Sequence, residues 1–97
     1  MNVVGLDILN RFAASHGDAR KSLDEWTRTA QIAQWKSPPD ILRQFPRASS
    51  VSGNRIVFRI RGNNYRLIVK INYAFKIVEI RFVGTHAEYD KVNAETV

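Results

Sequence analysis

His86 and Tyr89 stand three residues apart in the run Thr85-His86-Ala87-Glu88-Tyr89, a spacing that puts both rings on one side of a helix. Upstream, seven basic residues (Arg55, Arg59, Arg61, Arg66, Lys70, Lys76 and Arg81) share residues 54–81 with one acid, Glu79. This excess equals the formal net charge of the whole 97-residue chain, +6, so the rest of the sequence is neutral in sum. An imidazole, a phenol and clustered guanidinium groups suit one reaction in particular, the cutting of RNA without a metal. The ribose 2′-OH attacks the adjacent phosphate. A base must take the 2′ proton, cations must hold the charge that builds on the phosphorane, and an acid must protonate the departing 5′ oxygen. Histidine titrates near neutrality and can serve as base or acid. Arginines on a rigid strand supply preorganised charge. Tyrosine can donate a proton, orient one, or stack on a base.

For these groups to meet, residues 54–90 must fold as three consecutive strands running into a short helix. Period-two alternation puts Ile56, Phe58 and Ile60 on one face of the first strand, with Arg55, Val57, Arg59 and Arg61 on the other. Gly62-Asn63 reads as a two-residue hairpin turn. The second strand turns Tyr65, Leu67, Val69, Ile71 and Tyr73 inward and Arg66, Ile68, Lys70 and Asn72 outward. A turn over residues 74–76 leads to the third, with Val78, Ile80 and Phe82 inward and Ile77, Glu79, Arg81 and Val83 outward. Thr85 with Glu88 matches a capping box, so His86 opens a terminal helix at the edge of the basic face. A merely solvated sheet face would also carry Arg and Lys. Six clustered cations of one sign repel each other, however, and point to an anionic partner. Val57, Ile68, Ile77 and Val83 on that face call for partial cover by the terminal helix, a protein or stacked bases.

The N-terminal half reads as helical. Residues 2–5 fit one short strand. Leu6, Leu9, Phe12 and Ala13 recur at helical spacing, and His16-Gly17 marks the end of that helix. Asp18 is placed to cap a second helix whose apolar stripe is Leu23, Trp26, Ala30 and Ala33. Ser37 is placed to cap a third helix, with Pro38 at its first position and Asp40 near its positive end; this helix buries Ile41, Leu42 and Phe45 and ends at Pro46. Residues 50–52 fit a brief strand. The expected class is α+β in a single domain, residues 1–97, with N-terminal helices on one face of a small, mainly antiparallel sheet.

Several functions fall away. The sequence has no cysteine, so neither a disulfide framework nor a thiolate site is possible. Two histidines 70 residues apart, without a carboxylate cluster, make no metal site, and no cofactor is expected. No Gly-rich phosphate loop and no paired hydrolytic carboxylates occur. No apolar run approaches the ~18 residues a membrane span needs, and the N-terminus lacks a convincing signal-peptide pattern. A cytoplasmic protein with no membrane partner is expected.

The run NRIVFRIRGNNYRLIVKINYAFKIVEIRFVGTHAEYDKV, preceded by WKSPPDILRQFP, resembles the HigB branch of the RelE/ParE toxin superfamily over residues 35–92. The strand VFRIRGNNYRLIV, the closing VGTHAEYDK and the Trp-to-Pro segment carry the resemblance. It implies a helical layer on a small sheet with the active face opposite the helices. The implied activity is that of a type II toxin, an mRNA endonuclease acting mostly on ribosome-bound messages and silenced by a HigA-type helix-turn-helix antitoxin. By position it implies catalytic roles for Arg66, His86 and Tyr89, and matches Arg59 and Arg61 to basic residues of the preceding strand. Arg55, Lys70 and Arg81 complete the expected RNA-binding face. Two other readings fit the same pattern: a ParE-like protein that poisons gyrase by binding it, and an RNA-binding module that never cuts.

Overall fold

The computed structural model describes all residues, 1–97. In chain order the elements are β1 (Asn2–Val4), α1 (Leu6–Ser15), a 3₁₀ turn (Gly17–Ala19), α2 (Arg20–Ile32), α3 (Pro38–Gln44), β2 (Ser49–Val51), β3 (Arg55–Ile60), β4 (Tyr65–Asn72), β5 (Ile77–Thr85) and α4 (His86–Tyr89). The strands form one sheet in the order β1-β5-β4-β3-β2. β1 lies parallel to β5 and the other neighbours are antiparallel. The expected α+β architecture is present.

One contiguous core fills the space between the helices and the inner sheet face. Leu9, Ala13, Leu23, Trp26, Ala30 and Ile41 come from the helical side. Ile56, Phe58, Ile60, Leu67, Val69, Ile71, Val78 and Ile80 face them from the sheet. Period two on the strands and three-to-four spacing on the helices are thus both satisfied. Val57 and Ile68 are equally buried but lie outside this core, on the opposite face. The terminal segment covers that face: α4 packs on β4 and β5, and the Val97 carbonyl reaches Arg55 and Arg81.

Four local expectations are corrected. Asp18 does not cap α2; it sits in the 3₁₀ turn, where its carboxylate accepts from the Tyr65 hydroxyl at 2.6 Å and pairs with Arg61 at 3.2 Å. Ser37 is the N-cap of α3 by position but makes no side-chain cap bond. Instead Asp40 reaches back to accept from the Lys36 amide at 2.9 Å. The β3–β4 hairpin is wider than two residues: Ile60 pairs with Tyr65, leaving residues 61–64 as the loop. Arg61 and Gly62 both take positive φ there (51° and 65°), so Arg61 leaves the strand's outer face and turns toward Asp18.

The fourth correction matters most for the site. Ile68 pairs with Phe82 and Val69 with Ile80, so Arg81 is an extra residue in β5. This bulge inverts the alternation beyond it. Val83, expected outside, lies opposite Leu67 and packs on the core. Phe82, expected inside, pairs with Ile68 on the outer face. Gly84 then falls directly across from Arg66. A Cβ on Gly84 would sit 2.6 Å from the Phe82 ring tip and 3.2 Å from Glu88, so any side chain here would have to displace the Phe82 ring beneath α4.

Candidate functional site

The site is assembled where β5 ends. Thr85 Oγ1 accepts from the Glu88 amide at 3.2 Å, and Glu88 Oε1 accepts from the Thr85 amide at 2.8 Å. This closed capping box fixes the entry of the single-turn α4. The bond from the Thr85 amide, helped by the threonine hydroxyl, holds the Glu88 carboxyl below the usual carboxylate range. His86 and Tyr89 project from this turn with ring centroids 6.3 Å apart and planes 75° from parallel. His86 Nδ1 lies 3.4 Å from an Asp90 carboxylate oxygen, one turn on, so a protonated imidazole is paired there.

Beneath Tyr89 lies Arg66, its guanidinium carbon 5.8 Å from the ring centroid, within cation–π reach. Arg66 is only 6% exposed. It donates to Asn63 Oδ1 at 2.8 Å, the Asn63 carbonyl at 3.0 Å and the Tyr65 carbonyl at 3.3 Å. No carboxylate forms an ion pair with it. Burial pulls its pKa down, and Arg59, its direct cross-strand partner, adds to that, as does Arg47. Tyr89 and Asp90 act the other way. A guanidinium stays charged even so. The result is a buried cation among cations, which an incoming phosphate would stabilise.

The nominated residues therefore divide. Arg59, Arg66, His86 and Tyr89 gather at the end of the sheet where α4 begins. Lys70 lies farther along β4, about 13 Å from Arg66 by strand rise, opposite Arg55 on one side and Glu79 on the other. Arg55 is buried, donating to the Val97 carbonyl at 2.9 Å and the Gly53 carbonyl at 3.2 Å. Arg81, in the bulge, donates to the same Val97 carbonyl at 3.1 Å and pairs with Glu79. Arg61 is paired with Asp18. Arg47, in the α3–β2 connection, was missed by strand alternation because it lies outside any strand. The only signal for it is a basic residue directly after the helix-ending Pro46. His16, for which the sequence suggests no role, stacks on Phe12 with centroids 4.1 Å apart and meets the edge of Tyr65.

In sum the arrangement offers a fixed cation for a phosphate, further cations along the strand beside it, and an imidazole and a phenol at its rim. Known proteins supply a family for it. A 53-residue stretch is 40% identical to part of an alpha-(1->3)-arabinofuranosyltransferase of Mycolicibacterium smegmatis; it takes in 54% of this chain and 4% of that protein. The chain thus spans a small fraction of that relative, and the relative's name describes a protein that lies almost wholly outside the match. No helix of the chain is long and apolar enough to cross a membrane. The profile of the HigB toxins, described as the RelE-like toxic component of a toxin-antitoxin system, matches residues 19–92, from the 3₁₀ turn through α4. By that match across most of its length, the chain belongs to the HigB toxin family.

Proposed function

We propose that this toxin is an endoribonuclease that cuts mRNA on the ribosome through attack by the ribose 2′-OH. The observation that carries the reading is Arg66, a buried guanidinium with no acidic partner, roofed by Tyr89, whose helical turn also carries His86. In this scheme the scissile phosphate sits against Arg66. The guanidinium fork balances the charge that accumulates as the 2′ oxygen adds and the 5′ oxygen leaves. Arg59 and Arg47 hold neighbouring phosphates. His86 moves a proton to or from the reacting oxygens, with the Asp90 carboxylate 3.4 Å from its Nδ1. Tyr89 keeps Arg66 in place and flanks the ribose or base. The products are a 2′,3′-cyclic phosphate and a 5′-hydroxyl.

Membership of a toxin–antitoxin family implies an antitoxin partner. A helix-turn-helix antitoxin of the HigA type that masks this face, or keeps the toxin out of the ribosome, belongs to the same proposal, as does action in the cytoplasm. Primer extension on a reporter message, with and without translation, tests it. Codon-associated cuts are expected only when the message is translated. Arg66→Ala and His86→Ala should each lower cutting at least about tenfold, since single acid–base or charge-stabilising groups are worth about 100-fold or more. No cuts under either condition would overturn the reading. DNA damage on expression, with messages intact, would replace it with gyrase poisoning.

A further inference from the structure

Beside the Arg66 site lies a cavity that strand alternation gives no hint of. β2 pairs with β3 only over Arg55, Ile56 and Val57, so the edge of β3 beyond Val57 has no strand neighbour. The connection from α3 to β2 forms the opposite wall. Between them is a recess of about 240 Å³ lined by Gln44, Phe45, Arg47, Phe58 and Arg59, with Gly62 at one end. Phe45 and Phe58 meet there with centroids 5.0 Å apart and planes 80° from parallel, making an apolar corner. Gln44 is oriented by Trp35: the indole N–H, a donor only, gives its hydrogen to Gln44 Oε1 at 2.6 Å. The amide nitrogen of Gln44 is thereby left as the group free to donate. Arg47 and Arg59 line the same recess, and no acidic residue does. Both of these arginines also act electrostatically on Arg66.

From this we infer that the recess is a nucleobase pocket, holding one base of the RNA strand whose phosphates run past Arg47, Arg59 and Arg66. A flat, uncharged ring with acceptors on its edge matches an apolar corner with one oriented amide donor. The strand's anionic backbone matches the arginines at the mouth. The cavity is smaller than a drug-sized ligand needs, which suits a single base. Phe45 supplies apolar contact, Gln44 the edge-directed hydrogen bond, and Arg47 and Arg59 the phosphate contacts. The inference rests on the endonuclease reading for the identity of its ligand.

The test uses ribosomes programmed with 2′-O-methyl messages, which cannot supply the attacking hydroxyl, and with matched messages carrying one abasic residue at successive positions. Toxin affinity is measured for the unaltered chain, Gln44→Glu and Phe45→Leu. The glutamate still accepts from Trp35 but presents no donor, and the leucine keeps the core side of Phe45 filled, so both variants can fold. At one position, abasic replacement should weaken binding of the unaltered toxin about tenfold, the scale of one stacked base. In both variants the same replacement should cost less than about threefold, because the base–residue coupling is already lost. Cleavage of unmodified messages is scored in parallel. Cutting without any position-specific abasic penalty, or with a penalty unchanged in both variants, overturns the pocket alone. Neither cutting nor binding overturns the pocket together with the endonuclease reading. Variants that lose antitoxin binding yet keep the full abasic penalty overturn the pocket and reassign the recess to a protein contact.

Discussion

Arg55 and Arg66 are both buried arginines on the outer face of the same sheet, 8% and 6% exposed, yet their surroundings differ. Arg55 faces its own chain: its guanidinium ties the Val97 carbonyl and the Gly53 carbonyl to β3, closing the terminal segment over the sheet. Arg66 is braced from the side by Asn63 and capped by Tyr89, and its charged neighbour across the strand is another arginine, Arg59. One end of the basic face has thus been covered by the fold itself, with Arg81 paired to Glu79 and held by Val97. The other end concentrates like charges that an external anion would relieve. The same residue type reads as architecture in one place and as an anion site in the other, and its partners make the difference.

Substitution of each arginine by alanine gives the largest expected contrast. Arg55→Ala should cost about 2 kcal/mol of stability, the scale of hydrogen bonds from a charged donor, measurable by denaturant unfolding. The folded fraction should keep message cleavage within about threefold of the unaltered chain. Arg66→Ala should differ from it in cleavage. It gives up three hydrogen bonds from a charged donor but relieves repulsion with Arg59, so the stability loss should be no more than about 2 kcal/mol. Cleavage should fall by about 100-fold or more. Equal losses of cleavage in the two variants would erase the distinction.

A smaller effect sharpens the same contrast among the exposed cations. Arg47 and Arg59 have no ion-pair partner, whereas Arg61 is paired with Asp18 and Arg81 with Glu79. Each unpaired arginine that meets a phosphate releases about 0.7 counterion from single-stranded RNA. Arg47→Ala and Arg59→Ala should therefore each flatten the slope of log affinity against log salt by about that amount, with a several-fold loss of binding. Arg61→Ala and Arg81→Ala should leave the slope nearly unchanged, since their charge is already balanced within the fold. A loss of about 0.7 in slope on removing Arg61 would show that the Asp18 pair opens on binding.

Much of this was legible in the sequence because it depends on local pattern. The strand alternation in β3 and β4, the core stripe of α2, and the Thr85–Glu88 box follow from period and spacing alone. The larger errors have a different cause, a partner distant in sequence. Asp18 has the residue type of a helix cap, but Tyr65, 47 positions away, takes its carboxylate. The Arg81 bulge leaves no mark on hydrophobic alternation, because Phe82 and Val83 are both apolar and exchange faces silently. Arg55 and Arg81 look identical to Arg59 in the sequence; only the return of the terminal segment separates them. The recess at Gln44 and Phe45 depends on β2 beginning only at Ser49, the partner of Val57, a matter of register rather than composition.

The smallest expected effect concerns the turn that carries His86 and Tyr89. A helix of four residues has little stability of its own, so the reciprocal cap between Thr85 and Glu88 decides how firmly the two rings are held. Thr85→Ala removes the side-chain half of the cap and should cost about 1 kcal/mol. Frayed over a single exposed turn, that loss should lower cleavage by no more than about fivefold. The other half is pH-dependent. The folded Glu88 carboxyl is held below its unfolded range by the Thr85 amide, so its contribution is fully present above the ordinary carboxylate range. It fades as pH falls through the depressed value, where protonation removes the acceptor charge. Glu88→Gln keeps an oxygen for the Thr85 amide but cannot titrate. The stability difference between the two chains should accordingly shrink toward acid pH and level off above the carboxylate range, as unfolding curves across pH would reveal. A difference that instead grew on acidification would mean that Glu88 is stabilised in its protonated form, and that something other than the Thr85 amide governs it.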